Sequence, residues 1–262
     1  MESLQQTLTQ AYRDILVDLP SHWMNRSRIH EAEFAKLSGL FLPGTSEAYL
    51  HASRRIMVVG RETRRWNVVT DASPFVCLDD YLQQAMSKQQ THLAKHLPDT
   101  RDKGASSFNL LRDLADDHGQ EGIAWSNLFS FAWNGKSPMR WENFSRLLEV
   151  SERLLKAQID ILKPDVIIFA NGASSARFRR QFFPHQGEHS VCSKRSDYRD
   201  QGISINQLWQ FHLNESTQCY RIQHPSSIST ASRTARRFLL EQVLAKQTWE
   251  RDQSSHRNLN HT

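Results

Sequence analysis

Four short apolar stretches, separated by longer segments with helical periodicity, limit the folds open to this chain. The apolar stretches are RIMVVG (55–60), GIAWSN (122–127), DVIIFANG (165–172) and CYRIQ (219–223). Helical patterns cover residues 78–97, 107–117, 140–162, 173–183 and 229–250. Strands joined by helices of this length form a mainly parallel sheet with helices on both faces. We therefore predict an α/β fold of three α/β/α layers around a central, mainly parallel, twisted four-stranded sheet.

The rest of the chain is expected to extend this single domain. Residues 1–250 should form one domain, in which residues 1–50 are an N-terminal helical extension that packs on the rest. Within that extension we predict helices at 4–19 and 29–38 from the spacing of apolar residues. The last twelve residues, RDQSSHRNLNHT (251–262), are polar and aperiodic, and we expect them to be disordered.

The charge balance is mildly basic. The chain has 33 Lys and Arg against 28 Asp and Glu, with a pI near 9.2. An excess of +5 suits a polyanionic partner such as DNA, but it is equally compatible with a basic protein that binds no nucleic acid.

Cysteine usage and hydropathy exclude several classes of protein. Cys77, Cys192 and Cys219 are far apart and form no CxxC pair, so they cannot supply a four-thiolate zinc or iron–sulfur site. No signal peptide and no apolar run of about 20 residues is visible, which argues against membrane insertion. We expect a cytoplasmic monomer with no cofactor and no metal.

Polar residues follow the predicted strands at the point where each strand ends. Glu62 comes just after the first strand, Asn127 ends the second, and His224 follows the fourth. Ligands of open parallel sheets bind outside the carboxyl ends of the strands. A carboxylate there could activate a water, an amide could read a base edge, and an imidazole could donate to a developing oxyanion.

Each of these residues also has a purely structural interpretation. Glu62 could be a solvated turn acid, Asn127 a loop-capping amide and His224 a satisfied loop histidine. Ser226, Ser227 and Ser229 precede the last helix, where hydroxyl residues commonly act as N-caps. The same position also suits phosphate binding, because backbone N–H groups point outward at a helix start.

Taken in order, five segments resemble the uracil-DNA glycosylase superfamily. VVGRET resembles the Gly-Gln-Asp-Pro-Tyr motif of that family, and EGIAWSNLFSFAW resembles the strand that ends on its base-reading Asn. RWENFSRLL (140–148) resembles its Gly-Trp-Glu-x-Phe-Thr segment, and PDVIIFANGASSARF its third strand and glycine turn. HPSSIS resembles its closing His-Pro-Ser-Pro-Leu-Ser motif. The similarity covers roughly residues 54–245.

The resemblance implies base flipping followed by hydrolysis of the base–sugar bond. His224 would donate to the departing base, and Glu62 would position water and offset the positive charge on the sugar. Asn127 would read the base edge. Phe75 or Trp66 would stack on the base, although core packing is an equal alternative for both.

The resemblance also implies a set of DNA contacts. The serines of the closing motif would bind phosphates, and Ile228 stands where the family places an apolar wedge. The last helix would present a basic face to the backbone. The residues concerned are Ser226, Ser227, Ile228, Ser229, Arg233, Arg236 and Arg237.

The departures from the family pattern fall in the first motif. Glu62 replaces Asp, Thr63 replaces Pro, and Arg64 stands where the family's Tyr closes the pocket beside base atom C5. An arginine could move aside and leave room for a 5-substituent. Together with Arg61 and Arg65 it surrounds the site with positive charge, which could also serve only to contact phosphates.

These features predict a monofunctional DNA N-glycosylase that excises a 5-substituted pyrimidine. Hydroxymethylated or glucosylated cytosine, as found in some phage DNA, would fit an opened pocket, which suggests a role in antiviral defence. Uracil repair is one alternative, since Asn127 and His224 are retained. A non-catalytic nucleic-acid-binding protein on the same fold is the second. A metal-dependent nuclease is disfavoured because no second carboxylate accompanies Glu62 at a strand end.

Overall fold

A single mixed β-sheet organises the molecule. The computed structural model describes residues 3–25, 32–70 and 72–241. The strands are β1 (Ile56–Gly60), β2 (Ile123–Asn127), β3 (Val166–Phe169), β4 (Cys192–Ser196), β5 (Leu208–Leu213) and β6 (Thr217–Ile222). Their order across the sheet is β2-β1-β3-β6-β5-β4. The pairings among β2, β1, β3 and β6 are parallel, and β5 pairs antiparallel with both β6 and β4.

The sheet therefore has six strands where four were expected. The four strands predicted from apolar runs are all present and mutually parallel. The two additional strands form the antiparallel part of the sheet. The short turn at 214–216, with Asn214 and Glu215 at positive φ, joins β5 to β6 as a hairpin and forces them to be antiparallel. β4 has exposed polar residues at 194–196, so it carries no apolar pattern that would reveal a strand.

Seven α-helices lie in the described part of the chain. They are α1 (Leu4–Leu16), α2 (Ala32–Ala35), α3 (Leu78–His96), α4 (Ser106–His118), α5 (Phe144–Leu162), α6 (Ala176–Phe182) and α7 (230–241). The helix predicted for 29–38 is only one turn, and its first three residues lie outside the described residues. The predicted helical range 242–250 and the predicted disordered tail 251–262 also lie outside them.

Helices cover both faces of the sheet. On β2, Trp125 contacts Phe108 of α4, with ring centroids 5.1 Å apart. Its neighbour Ser126 donates a hydrogen bond of 2.5 Å to Gln158 of α5. Because successive residues of a strand point to opposite faces, α4 and α5 lie on opposite sides. This arrangement is consistent with the three-layer α/β/α class.

The N-terminal segment shares the core of the sheet. α1 buries Leu4, Leu8, Tyr12 and Leu16 and packs against α5 and α3. The buried Tyr12 hydroxyl donates to the carbonyl of Pro43 at 2.8 Å. Burial of four side chains at helical spacing stabilises this helix more than its intrinsic propensity does. None of the helices in the described ranges is long and apolar enough to cross a membrane.

Candidate active site

Parallel pairing brings the polar strand ends to one edge of the sheet. Gly60 at the end of β1 lies opposite Asn127 at the end of β2. Beyond β3, Gly172 adopts a φ of +76°, and a Cβ placed on it would lie 3.4 Å from the backbone nitrogen of His224. The carboxyl ends of β1, β2, β3 and β6, and the polar residues that follow them, therefore lie along one edge of the sheet.

Glu62 is buried between two arginines. Its side chain is 2% exposed. Arg61 donates to both carboxylate oxygens, from Nε at 2.6 Å and from Nη2 at 3.0 Å, and Arg64 donates from Nε at 3.2 Å. Arg61 also reaches the Ser174 hydroxyl at 3.3 Å. Glu62 is thus held in a fixed position by charge-assisted hydrogen bonds rather than standing free in solvent.

Asn127 is held by the same turn that carries Glu62. Its side-chain nitrogen Nδ2 donates to Thr63 Oγ1 at 2.6 Å, and the residue is 5% exposed. In the sequence Thr63 stands out only because it replaces a proline, and its contact with the amide is not visible there because 64 positions separate the two residues. A second strand-end amide, Asn171, is 1% exposed, and neither of its side-chain polar atoms has a hydrogen-bond partner in the described residues.

The hydrogen bonds of His224 select one neutral tautomer. Nδ1 accepts from the backbone N–H of Ser226 at 3.2 Å and lies 2.7 Å from the Ser226 hydroxyl. A nitrogen that accepts an N–H bond carries no proton, so the neutral ring carries its proton on Nε2. Burial lowers the pKa of His224, and the charges of Arg61, Arg64 and Arg236 lower it further, while Glu62 acts in the opposite direction. The ring is therefore neutral near pH 7 and has a donor to offer.

The serines after His224 are connected to each other. The Ser227 and Ser229 hydroxyls both donate to Ser232 Oγ, at 2.9 and 2.8 Å. Ser229 Oγ also accepts from the Ser232 backbone N–H at 3.1 Å, which is the geometry of an N-cap on α7. A phosphate bound here would have to share or replace these internal hydrogen bonds.

Ile228 protrudes at the same turn. It is 84% exposed, and its neighbours in sequence are fixed by the serine hydrogen bonds. Single exposed apolar side chains are common on protein surfaces, so exposure alone assigns Ile228 no role. An apolar wedge must be exposed, as Ile228 is, and the wedge role itself stays a prediction.

Arginines of α7 line a cavity of about 440 Å³ beside Pro225. Arg233 and Arg237 are exposed, and the half-buried Arg236 donates to the Ser227 carbonyl at 3.3 and 3.4 Å. The opposite wall contributes Arg101 and the α4 residues Ser106, Asn109 and Asp113. Sequence reasoning missed this wall because it lies more than a hundred residues away from α7 and belongs to no recognisable motif.

The two aromatic candidates have different surroundings. Trp66 is 5% exposed and packs edge-to-face against Phe41 at 5.2 Å and His92 at 5.4 Å. A base could not stack on it without displacing the core. Phe75 is half-buried and contacts Tyr81 at 5.8 Å, so it retains an accessible face. Arg65 is exposed and adopts a φ of 55°.

No protein-family model matches the sequence, and no curated protein matches it. Within the described ranges, no three His, Cys, Asp or Glu side chains are grouped so that they could hold a metal ion.

Proposed function

We propose that the protein is a monofunctional DNA glycosylase, which flips a nucleotide out of DNA and hydrolyses the bond between base and sugar. The observation that carries this proposal is the location of a buried carboxylate after β1 and an imidazole after β6 at the same edge of the sheet, where β2 ends on Asn127. The negative charge of Glu62 acts on the pKa of His224, against the larger effects of burial and Arg61, and Asn127 is held by the turn that carries Glu62. Resemblance of five segments to the uracil-DNA glycosylase superfamily supports the same reaction.

The proposed chemistry follows from the charges that develop as the bond breaks. The sugar becomes positive and the departing base negative. Nε2–H of His224 donates to the base oxygen that gains charge, as a donor in an oxyanion hole does. Glu62 offsets the sugar cation and orients the water that attacks the sugar carbon, while Asn127 pairs with the polar edge of the base.

Binding of DNA is assigned to the turn and helix that follow His224. Ile228 would enter the duplex where the nucleotide leaves it, because an exposed apolar side chain can replace the lost stacking. The arginines around the cavity beside Pro225 would neutralise phosphates of the backbone. Arg61 and Arg65 would add contacts beside the flipped nucleotide.

A 5-substituted pyrimidine is the substrate class that we favour. The Arg64 side chain is 54% exposed and is anchored to Glu62 by a single hydrogen bond, so it can swing outward more readily than a packed tyrosine. The space it leaves, together with its N–H donors, suits a hydroxymethyl or sugar substituent. Such bases occur in phage DNA, and their removal would serve defence against foreign DNA.

The test uses purified protein in EDTA with DNAs that carry uracil, a thymine mismatch, 5-hydroxymethylcytosine or its glucosylated form. Alkali reveals abasic sites, and Glu62→Ala serves as the control. Product from the substituted cytosines alone supports the favoured class, and product from uracil alone supports a repair enzyme. Equal cleavage of every base by Glu62→Ala and wild type would show the assigned mechanism to be wrong.

One observation favours a second candidate, a DNA-binding protein without catalysis. Both oxygens of Glu62 are occupied by Arg61, and one also by Arg64, so the carboxylate must exchange partners before it can meet water or sugar. DNA binding with no abasic product from any of the four substrates would support this alternative.

A further inference from the structure

A second cationic cavity lies beside the loop that follows β3. It has a volume of about 340 Å³ and is bounded by α6, the loop after β3 and the segment before β5. Four of its lining residues are basic or can become so, namely Arg179, Arg180, His185 and Arg221. Within the described part of the chain, no carboxylate lines it.

Arg179 is the unusual member of this set. It is 2% exposed, and neither Nε nor Nη1 has a hydrogen-bond partner in the described residues. Its guanidinium lies against three aromatic rings, with centroids at 5.7, 5.3 and 5.1 Å for Phe169, Trp209 and Phe211. Aromatic faces attract the cation but cannot accept the hydrogen bonds of its N–H groups. A buried guanidinium with unpaired donors is expensive unless an anion joins it.

The surroundings increase the positive potential. Burial and the nearby charge of Arg221 lower the pKa of Arg179 to about 10. Arg221 has its own partners, since it donates to the carbonyl of Asn206 at 2.6 Å and to that of Ile205. Burial and the charge of Arg179 also lower the pKa of His185. Arg179 is therefore a buried group with free donors, and the charges of Arg180 and Arg221 add to its positive potential.

We propose that this cavity binds a phosphate group, with Arg179 as its principal ligand and Arg180 at its rim. The planar guanidinium matches the oxygens of phosphate, and the small volume suits a phosphate or a phosphate ester. This site goes beyond the proposed glycosylase reaction. Its wall residue Ala173 precedes Ser174, which contacts Arg61, so the cavity adjoins the loop that Arg61 links to Glu62. The phosphate can come from the DNA backbone or from a free phosphate ester.

The first test measures thermal unfolding in a phosphate-free buffer at constant ionic strength, with sodium phosphate or deoxycytidine 5′-monophosphate replacing chloride. Wild-type protein should be stabilised saturably by the phosphate compounds. Arg179→Met keeps the apolar contacts and removes the charge, so it should fold and lose the response, with affinity reduced at least about tenfold. Arg177→Met, an exposed arginine on the same helix, is the matched control and should respond as wild type does.

The second test measures DNA affinity against salt concentration for the same variants. If free phosphate stabilises wild-type protein and Arg179→Met abolishes that effect, the ligand of the cavity is a soluble phosphate ester. If free phosphate has no effect, but Arg179→Met binds DNA more weakly and with a salt slope reduced by about one, the ligand is a phosphate of the DNA backbone. If Arg179→Met does not fold, the exposed Arg180→Met should weaken the same response several-fold. Indifference to phosphate together with unchanged DNA binding in the variants would overturn the proposal.

Discussion

Gly60 and Asn127 are partners across the ends of β1 and β2, and they approach so closely that only glycine fits. A Cβ on residue 60 would lie 2.6 Å from the Oδ1 atom of Asn127. The Asn127 side chain is also tied to Thr63, so it cannot retreat without losing that hydrogen bond. The position of the amide is thus determined jointly by the missing side chain at 60 and the hydroxyl at 63.

Gly60→Ala should therefore impair excision more than it impairs folding. We expect a loss of about 1–3 kcal/mol in the free energy of unfolding, as for other overpacked sites. We expect excision to fall at least about tenfold, because a small displacement of a positioning group is costly in catalysis. Denaturant unfolding and single-turnover excision measure the two effects. Gly104→Ala is the control, because its new methyl would meet nothing closer than 3.6 Å. Full activity of Gly60→Ala would contradict the role of Asn127.

Arg64→Tyr tests the origin of substrate choice. A tyrosine at this position should close the space beside the base, so excision of a 5-substituted cytosine should fall about 10–200-fold relative to that of an unsubstituted base. The ratio between substrates is the readout, because the substitution also removes one hydrogen bond from Glu62. Arg153→Tyr, an exposed position on α5, controls for the loss of charge. An unchanged ratio would show that residue 64 does not determine which base is excised.

The lowered pKa of His224 has consequences for both activity and stability. Because burial and the neighbouring arginines place it below its ordinary value of about 6.5, the neutral donor should persist at mildly acidic pH. We expect kcat/KM to stay flat as the pH falls from 7.5 to about 6.5 and to decline only below that. A decline centred above 6.5 would indicate that the imidazole is not held neutral.

The lowered pKa of His224 also determines whether the stability of the protein rises or falls with pH. Between the folded pKa of His224 and about 6.5, the unfolded chain binds more protons than the folded chain, so stability rises with pH. The contribution of His224 to the free energy of unfolding is complete above pH 6.5 and is lost as the pH falls from there to the folded pKa. Denaturant titrations of wild type and His224→Gln at several pH values should show that the free energy of unfolding depends less on pH in the variant.

Ile228→Ser should impair the flipping of a nucleotide out of duplex DNA without impairing cleavage of the base–sugar bond. The side chain is 84% exposed, so its replacement should change the free energy of unfolding by no more than about 0.5 kcal/mol. Excision from duplex DNA should fall about tenfold, since holding a base out of the stack depends on the wedge, whereas excision from single-stranded DNA should change little. Val17→Ser, at a position that is 62% exposed at the end of α1, is the control. Equal losses on both DNA forms would argue against a wedge.

The sequence predicted the four parallel strands, and the location of Glu62, Asn127 and His224 at strand ends, because continuous apolar runs and strand ends are local signals. It did not predict β4 or the pairing of β5 with β6, since exposed polar strands have no apolar pattern and antiparallel pairing depends on a short turn. The contacts that define the site, from Arg61 to Glu62 and from Asn127 to Thr63, depend on side-chain conformations. These follow from packing rather than from residue type.

The aromatic candidates show the same limit. Trp66 and Phe75 both follow the first motif, and only packing distinguishes them, since Trp66 is enclosed by Phe41 and His92. Arg179 was likewise invisible in the sequence, where it is one of several arginines in an amphipathic helix. Its significance comes from burial without a hydrogen-bond partner.

The measurement that tests the central claim most directly is the release of free base from DNA, followed by mass spectrometry of both the base and the strand. Wild-type protein in EDTA should release the intact modified base and leave an abasic sugar in an unbroken strand, with no strand break before alkali. Glu62→Gln should bind the same DNA and release the base at least about a hundredfold more slowly. Tight binding by wild type with no base released, or strand cleavage without an abasic sugar, would contradict the assignment of a glycosylase.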